Sequence, residues 1–73
     1  MAQAVKNYLK NLARYNDGWG CITERNIMHD TLCEKSEIEE TINELKEEGW
    51  QFDVFTQIRC GVEWKIIEFE INN

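Results

Sequence analysis

The hydrophobic period of this chain changes once, at Gly49-Trp50, and that change constrains the fold more than any other feature. Upstream, apolar residues recur every three to four positions, the spacing of one helix face. Val5, Tyr8, Leu9 and Leu12 stand at i, i+3, i+4 and i+7, so a first helix is expected over Ala2 to Tyr15. Asn16-Asp17-Gly18 ends it with residues that tolerate a left-handed turn. Trp19 and Ile22 are expected to bring apolar surface back to the core. Thr23 caps a short second helix running to about Asp30, with Ile27, Met28 and Leu32 facing inward. Ser36-Glu37-Ile38-Glu39 has the spacing of a capping box, and Ile38, Ile42 and Leu45 form the inward stripe of a third helix that ends at Gly49.

Downstream the period is two. Trp50, Phe52 and Val54 alternate with Gln51 and Asp53, and Val62, Trp64 and Ile66 alternate with Glu63 and Lys65. Thr56 to Gly61 reads as the hairpin loop between them. At Ile66-Ile67 the alternation slips by one position, which a bulge or burial on both faces explains, and it resumes as Ile67, Phe69 and Ile71. The expected class is therefore mostly α with a β-hairpin (α+β).

With 73 residues and 42% apolar content, the chain has material for a single domain, 1–73, and one core. Its eight aromatic residues, three of them Trp, are too many for a disordered segment. No apolar run approaches the ~18 residues of a membrane span or a long leader.

Three helices followed by two strands is the order of a winged helix-turn-helix. Ile22-Thr23, Leu32, Ser36-Glu37-Ile38, Ile42, Leu45 and Glu48-Gly49-Trp50 resemble that family's second helix, turn and recognition helix. Trp50 to Val54 and Gly61 to Ile67 resemble its wing. The resemblance implies a three-helix winged helix-turn-helix with a C-terminal two-stranded wing, its third helix entering the DNA major groove and phosphates held by Lys, Arg, Ser and amides. The turn ahead of Ser36 departs from the pattern, having Cys33 and Glu34 and no glycine.

The charge map conflicts with that role. The formal charge is −6, yet Glu34 to Glu48 holds seven acids against Lys35 and Lys46, a net −5 that leaves −1 for the rest of the chain. On a helical wheel Glu40, Glu44 and Glu47 lie opposite the apolar stripe, flanked by Glu37 and Glu48. Glu40–Glu44 and Glu44–Glu48 are like-charge i,i+4 pairs, each costing about 0.2–0.5 kcal/mol, and Glu47 and Glu48 oppose the helix dipole. Such a face repels a phosphate array and has few cations with which to release counterions. An exposed acidic helix is also an ordinary solubilising surface.

Two functional readings follow. In the first, the domain is a protein-interaction module whose face of Glu37, Glu40, Asn43, Glu44, Glu47 and Glu48 binds a basic, nucleic-acid-binding protein partner. Small acidic stand-alone domains of this type resemble viral or mobile-element inhibitors of host factors, including nucleic-acid-targeting defence; that resemblance implies a host cytoplasmic location. In the second, it is a dimeric, sequence-specific transcriptional regulator. Lys35, Ser36 and Asn43 then read bases, while Lys6, Lys10 and Arg14 of the first helix and Arg59 of the hairpin loop hold phosphates.

No other motif carries chemistry. Cys21, Cys33 and Cys60 form no CxxC pair and suit a reducing, cytoplasmic compartment. With His29 they make up a Cys3His set whose spacing fits no common zinc module, so no metal and no cofactor are expected. There is no glycine-rich phosphate loop and no catalytic grouping; enzymatic activity, a small-molecule substrate and a membrane are not expected. Trp19, Trp50 and Trp64 are expected in the core. The first helix and the Ile67-Phe69-Ile71 tail each offer surface to a second copy, the tail as an unpaired edge.

Overall fold

Helix α1, Gln3–Tyr15, forms where the first apolar stripe lies, and buries Val5, Leu9 and Ala13. The computed structural model describes residues 3–71, so the expected start at Ala2 and both ends of the 1–73 domain lie outside the described residues. After α1 come β1 (Trp19–Thr23), α2 (Glu24–Thr31), α3 (Lys35–Glu47), β2 (Trp50–Arg59) and β3 (Val62–Ile71). This is an α+β domain: three helices against an antiparallel sheet ordered β1-β3-β2.

The sheet has three strands, where the sequence pattern pointed to a two-stranded wing. β1 lies along β3, with Gly20 opposite Phe69 and Ile22 opposite Ile67. In β1 the large Trp19 is exposed and Gly20 is buried, the reverse of the alternation that announces a strand. As a consequence the Ile67-Phe69-Ile71 tail is not an edge; it belongs to the central strand, paired on both sides.

The expected hairpin loop is also shorter. Thr56 to Arg59 continue β2, and the connection is the two-residue turn Cys60-Gly61, with φ of 50° and 75°. Positive φ at both positions is the type I′ geometry that matches strand twist, and Gly61 adopts it without the steric cost of a Cβ. Pairing from Arg59↔Val62 to Trp50↔Ile71 runs one for one, so no bulge occurs at Ile66-Ile67. The slip in alternation instead reflects burial on both faces. Ile67 is fully buried beneath the helices, while Ile66 is half-buried on the opposite face.

The core joins Val5, Leu9, Ile27, Ile38, Ile42, Leu45, Trp50, Ile67 and Phe69. Trp50, Phe52 and Phe69 stack across the sheet, with Trp50 and Phe69 ring centroids 5.4 Å apart. Of the three tryptophans only Trp50 is core. Trp19 alternates onto the outer sheet face and is 54% exposed, while Trp64 is half-buried beneath the Arg25 guanidinium, 4.8 Å from the ring centroid. α1 is pinned to α2 by the Tyr8 hydroxyl, which donates to Asp30 Oδ2 at 2.6 Å. Burial and this bond push the Tyr8 phenol up to about 12.

Thr23 caps α2 as expected, accepting the Asn26 amide at 3.1 Å. The capping box of α3 lies two residues upstream of the one expected. Glu34 is the N-cap, Glu37 accepts its amide at 3.2 Å, and Ser36 sits inside the first turn. The helix starts early because Leu32 ends α2 in a left-handed conformation, φ 55°, which leaves only Cys33 and Glu34 as connection. That conformation turns the Leu32 side chain out of the core, where it was expected, to 90% exposure.

Candidate protein-interaction face

Helix α3 docks through Ile38, Thr41, Ile42 and Leu45, and this docking divides the acidic residues into two sets. On the side turned to α1, Lys6 Nζ lies 2.6 Å from Glu48 Oε2 and 3.8 Å from Glu44 Oε2. The hydrogen bond from Lys6 holds the Glu48 carboxyl below its usual range, with the Lys10 charge adding to it, and the same bond raises the Lys6 ammonium. Glu37, half-buried in the first turn, is engaged by the cap. Glu40, Asn43 and Glu47 form the outward line, all exposed. Among the described residues Glu40 and Glu47 form no ion pair.

The face expected from the wheel is therefore narrower. Of its six residues, Glu40, Asn43 and Glu47 meet solvent directly, while Glu37, Glu44 and Glu48 are partly spent within the chain. Lys6, expected with Lys10 and Arg14 to hold phosphates, is instead a half-buried counterion of α3, because α1 and α3 pack side by side. Lys10 and Arg14 stay exposed on α1, Lys35 and Ser36 at the start of α3, and Arg59 at the end of β2.

Two charged groupings were not visible in the sequence. Glu24, in the first turn of α2, is 6% exposed, with Lys65 Nζ 3.2 Å and Lys35 Nζ 3.9 Å from its oxygens. Its position beside the Thr23 cap announces a helix start and nothing about burial. On the outer face of the sheet, Asp53 stands directly opposite Glu68, with Glu70 and the exposed Trp19 nearby. These acids lie on different strands and meet only through the register. Cys21 shares that face, its thiol pushed up by burial and by Glu68.

Cys33 is buried after α2, Cys60 sits in the hairpin turn and His29 is exposed beside Asp30. Among the described residues no cluster of His, Cys, Asp and Glu is arranged to hold a metal ion. Nor is any described helix long and apolar enough to cross a membrane. Compared with known proteins, the chain matches no family model, no curated protein and no solved structure.

Proposed function

We propose that this chain is a winged-helix domain that works as a protein-interaction module, its α3 face binding the basic surface of a nucleic-acid-binding protein. The observation that carries this reading is the outward line of Glu40 and Glu47, which no described cation pairs with, although Lys6 pairs with Glu48 and lies near Glu44 on the adjoining side of the helix. In a winged helix this is the element that meets DNA, and here it presents carboxylates spaced along a rod. Such an array attracts a cationic groove, speeds encounter with it and repels acidic surfaces. An inhibitor that occupies the nucleic-acid site of its target has this electrostatic character, and a viral anti-defence role is the biological setting we favour.

The experiment pairs two measurements. A random-sequence duplex titrated with the protein at low salt is expected to show no binding. Affinity capture from nuclease-treated lysate is expected to retain basic, nucleic-acid-binding proteins on wild type and to lose them on Glu40→Lys/Glu47→Lys. Glu47 is chosen over Glu44 for this variant because Glu44 lies beside Lys6. Tight, salt-sensitive DNA binding that disappears in Lys10→Ala/Arg14→Ala would favour the second reading, a DNA-binding regulator. That reading retains exposed Lys10, Arg14, Lys35, Ser36, Asn43 and Arg59, but Lys6 no longer contributes a free charge.

A further inference from the structure

Strand β2 is an edge ten residues long, and it lacks most of the devices by which natural edges avoid pairing. Such edges are short, bulged, or marked by proline or lysine. β2 carries neither residue, and its pairing with β3 has no bulge. From Asp53 to Arg59 every residue of it is exposed.

The sequence of this edge is self-complementary. Asp53 and Arg59 are its only charges, opposite in sign and placed symmetrically about Thr56. An antiparallel pair of β2 strands related by a two-fold axis at Thr56 sets Asp53 opposite Arg59 of the partner subunit, twice. It also sets Val54 opposite the partner's Ile58 on the helix-bearing face. Val54 and Ile58 are 40% and 71% exposed in the single chain. Shifting the axis by one residue to Phe55 or Gln57 loses the charge pairing, so the register is specified.

Two further features favour a second copy over a foreign strand. Asp53 faces Glu68 across the β2–β3 ladder, a like-charge pair that is destabilising and has no ion-pair partner among the described residues. A cation at Asp53's other side relieves it, and Arg59 of the partner subunit arrives there. Val54 also borders a groove between α3 and the sheet, lined by Ile38, Ile42, Asn43 and Ile67. In the Thr56 register the partner's Ile58 pairs with Val54 at the border of that groove.

We propose that the protein forms a two-fold homodimer by antiparallel pairing of its β2 edges in the register centred on Thr56, joining two three-stranded sheets into one of six strands. This inference does not rest on the reading of α3, although Asn43 belongs both to its outward line and to this groove.

The test is sedimentation velocity on the full chain under reducing conditions, which keep the exposed Cys21 and Cys60 from cross-linking. Wild type is expected to show a concentration-dependent monomer–dimer equilibrium. Asp53→Arg and Arg59→Asp each place like charges face to face and are expected to weaken self-association at least ~tenfold. Mixed in equal amounts, the two variants regain both pairs and are expected to form a 1:1 heterodimer. Should either swap fail to fold by circular dichroism, Asp53→Asn and Arg59→Gln decide, each weakening the dimer. A wild type that stays monomeric, a dimer that none of these variants weakens, or folded variants that do not associate on mixing would each overturn the proposal.

Discussion

Lys6 Nζ and Glu48 Oε2 lie 2.6 Å apart, so the first helix supplies the counterion for the acidic C-terminal end of the third. Within α3 the glutamates of that last turn oppose the helix dipole and one another, and Lys46 has Ile42 rather than an acid one turn before it. A cation from a neighbouring helix resolves part of the conflict that local sequence rules leave open.

The pair has a defined pH signature. Glu48 is depressed in the folded state, so its contribution is present above the ordinary glutamate range near about pH 4.3 and is lost as pH falls through its lower folded value. Lys6 is raised, so its contribution is present below about pH 10.4 and is lost as pH rises past the folded value. Lys6→Gln is therefore expected to be less stable than wild type between those limits and equal to it in acid, with the gap shrinking in high salt. Urea unfolding at a series of pH values measures this. A gap that is constant with pH would show that Lys6 acts through packing alone.

Gly20 faces Phe69 across the β1–β3 ladder, and the backbone approach leaves no room for a side chain. A Cβ at this position would overlap the Phe69 Cζ atom and lie 2.8 Å from Cε1. The ring has nowhere to retreat, since it is 3% exposed and stacked on Trp50. Gly20→Ala is expected to cost about 1–3 kcal/mol, the range for overpacking a core. Phe69→Leu in the same chain should recover part of that loss. A neutral Gly20→Ala in denaturant unfolding would contradict the close approach.

The three helices were legible because each carries an apolar stripe and a terminus with its own chemistry: Val5 to Leu12, the Thr23 cap, and Ile38 to Leu45. β1 was hidden because Trp19-Gly20-Cys21-Ile22-Thr23 is short, and its burial depends on a partner nearly fifty residues away. Boundaries slipped where two spellings fit one rule, as with Glu34/Glu37 and Ser36/Glu39. The acidic face was legible as a charge count but not in its division. That Glu44 and Glu48 share Lys6 while Glu40 and Glu47 have no described cation depends on the rotation of α3 against α1. Asp53 and Glu68 were unremarkable until the register set them opposite each other.

Leu32 ends α2 with φ 55° and is 90% exposed, so it bears the strain of a left-handed Cβ while burying little. Glycine removes that strain, worth about 1–2 kcal/mol, and returns part of the gain as greater freedom of the unfolded chain. Leu32→Gly is expected to stabilise the fold by about 0.5 kcal/mol. A higher thermal midpoint with unchanged helical content is the expected result, and a lower one would mean that Leu32 makes contacts the fold needs.

Glu24 and Lys65 join α2 to the central strand, and the two ends of this ion pair differ in burial. Glu24 is 6% exposed, whereas the Lys65 side chain is 41% exposed, with its Nζ 3.2 Å from Glu24 Oε2. Removing Lys65 strands a buried carboxylate with only Lys35, at 3.9 Å, to compensate. Lys65→Met is therefore expected to destabilise by about 1–3 kcal/mol, because the buried Glu24 Oε2, which has no hydrogen bond among the described residues, loses its nearest cation as well. Glu24→Leu/Lys65→Met removes both charges from a site bordered by Ile38, Ile42 and Ile67 and should lose less than Lys65→Met alone. The double-mutant cycle, read from urea midpoints, isolates the coupling. Additive losses would show that the carboxylate is satisfied by water and that the strand is held to α2 by packing alone.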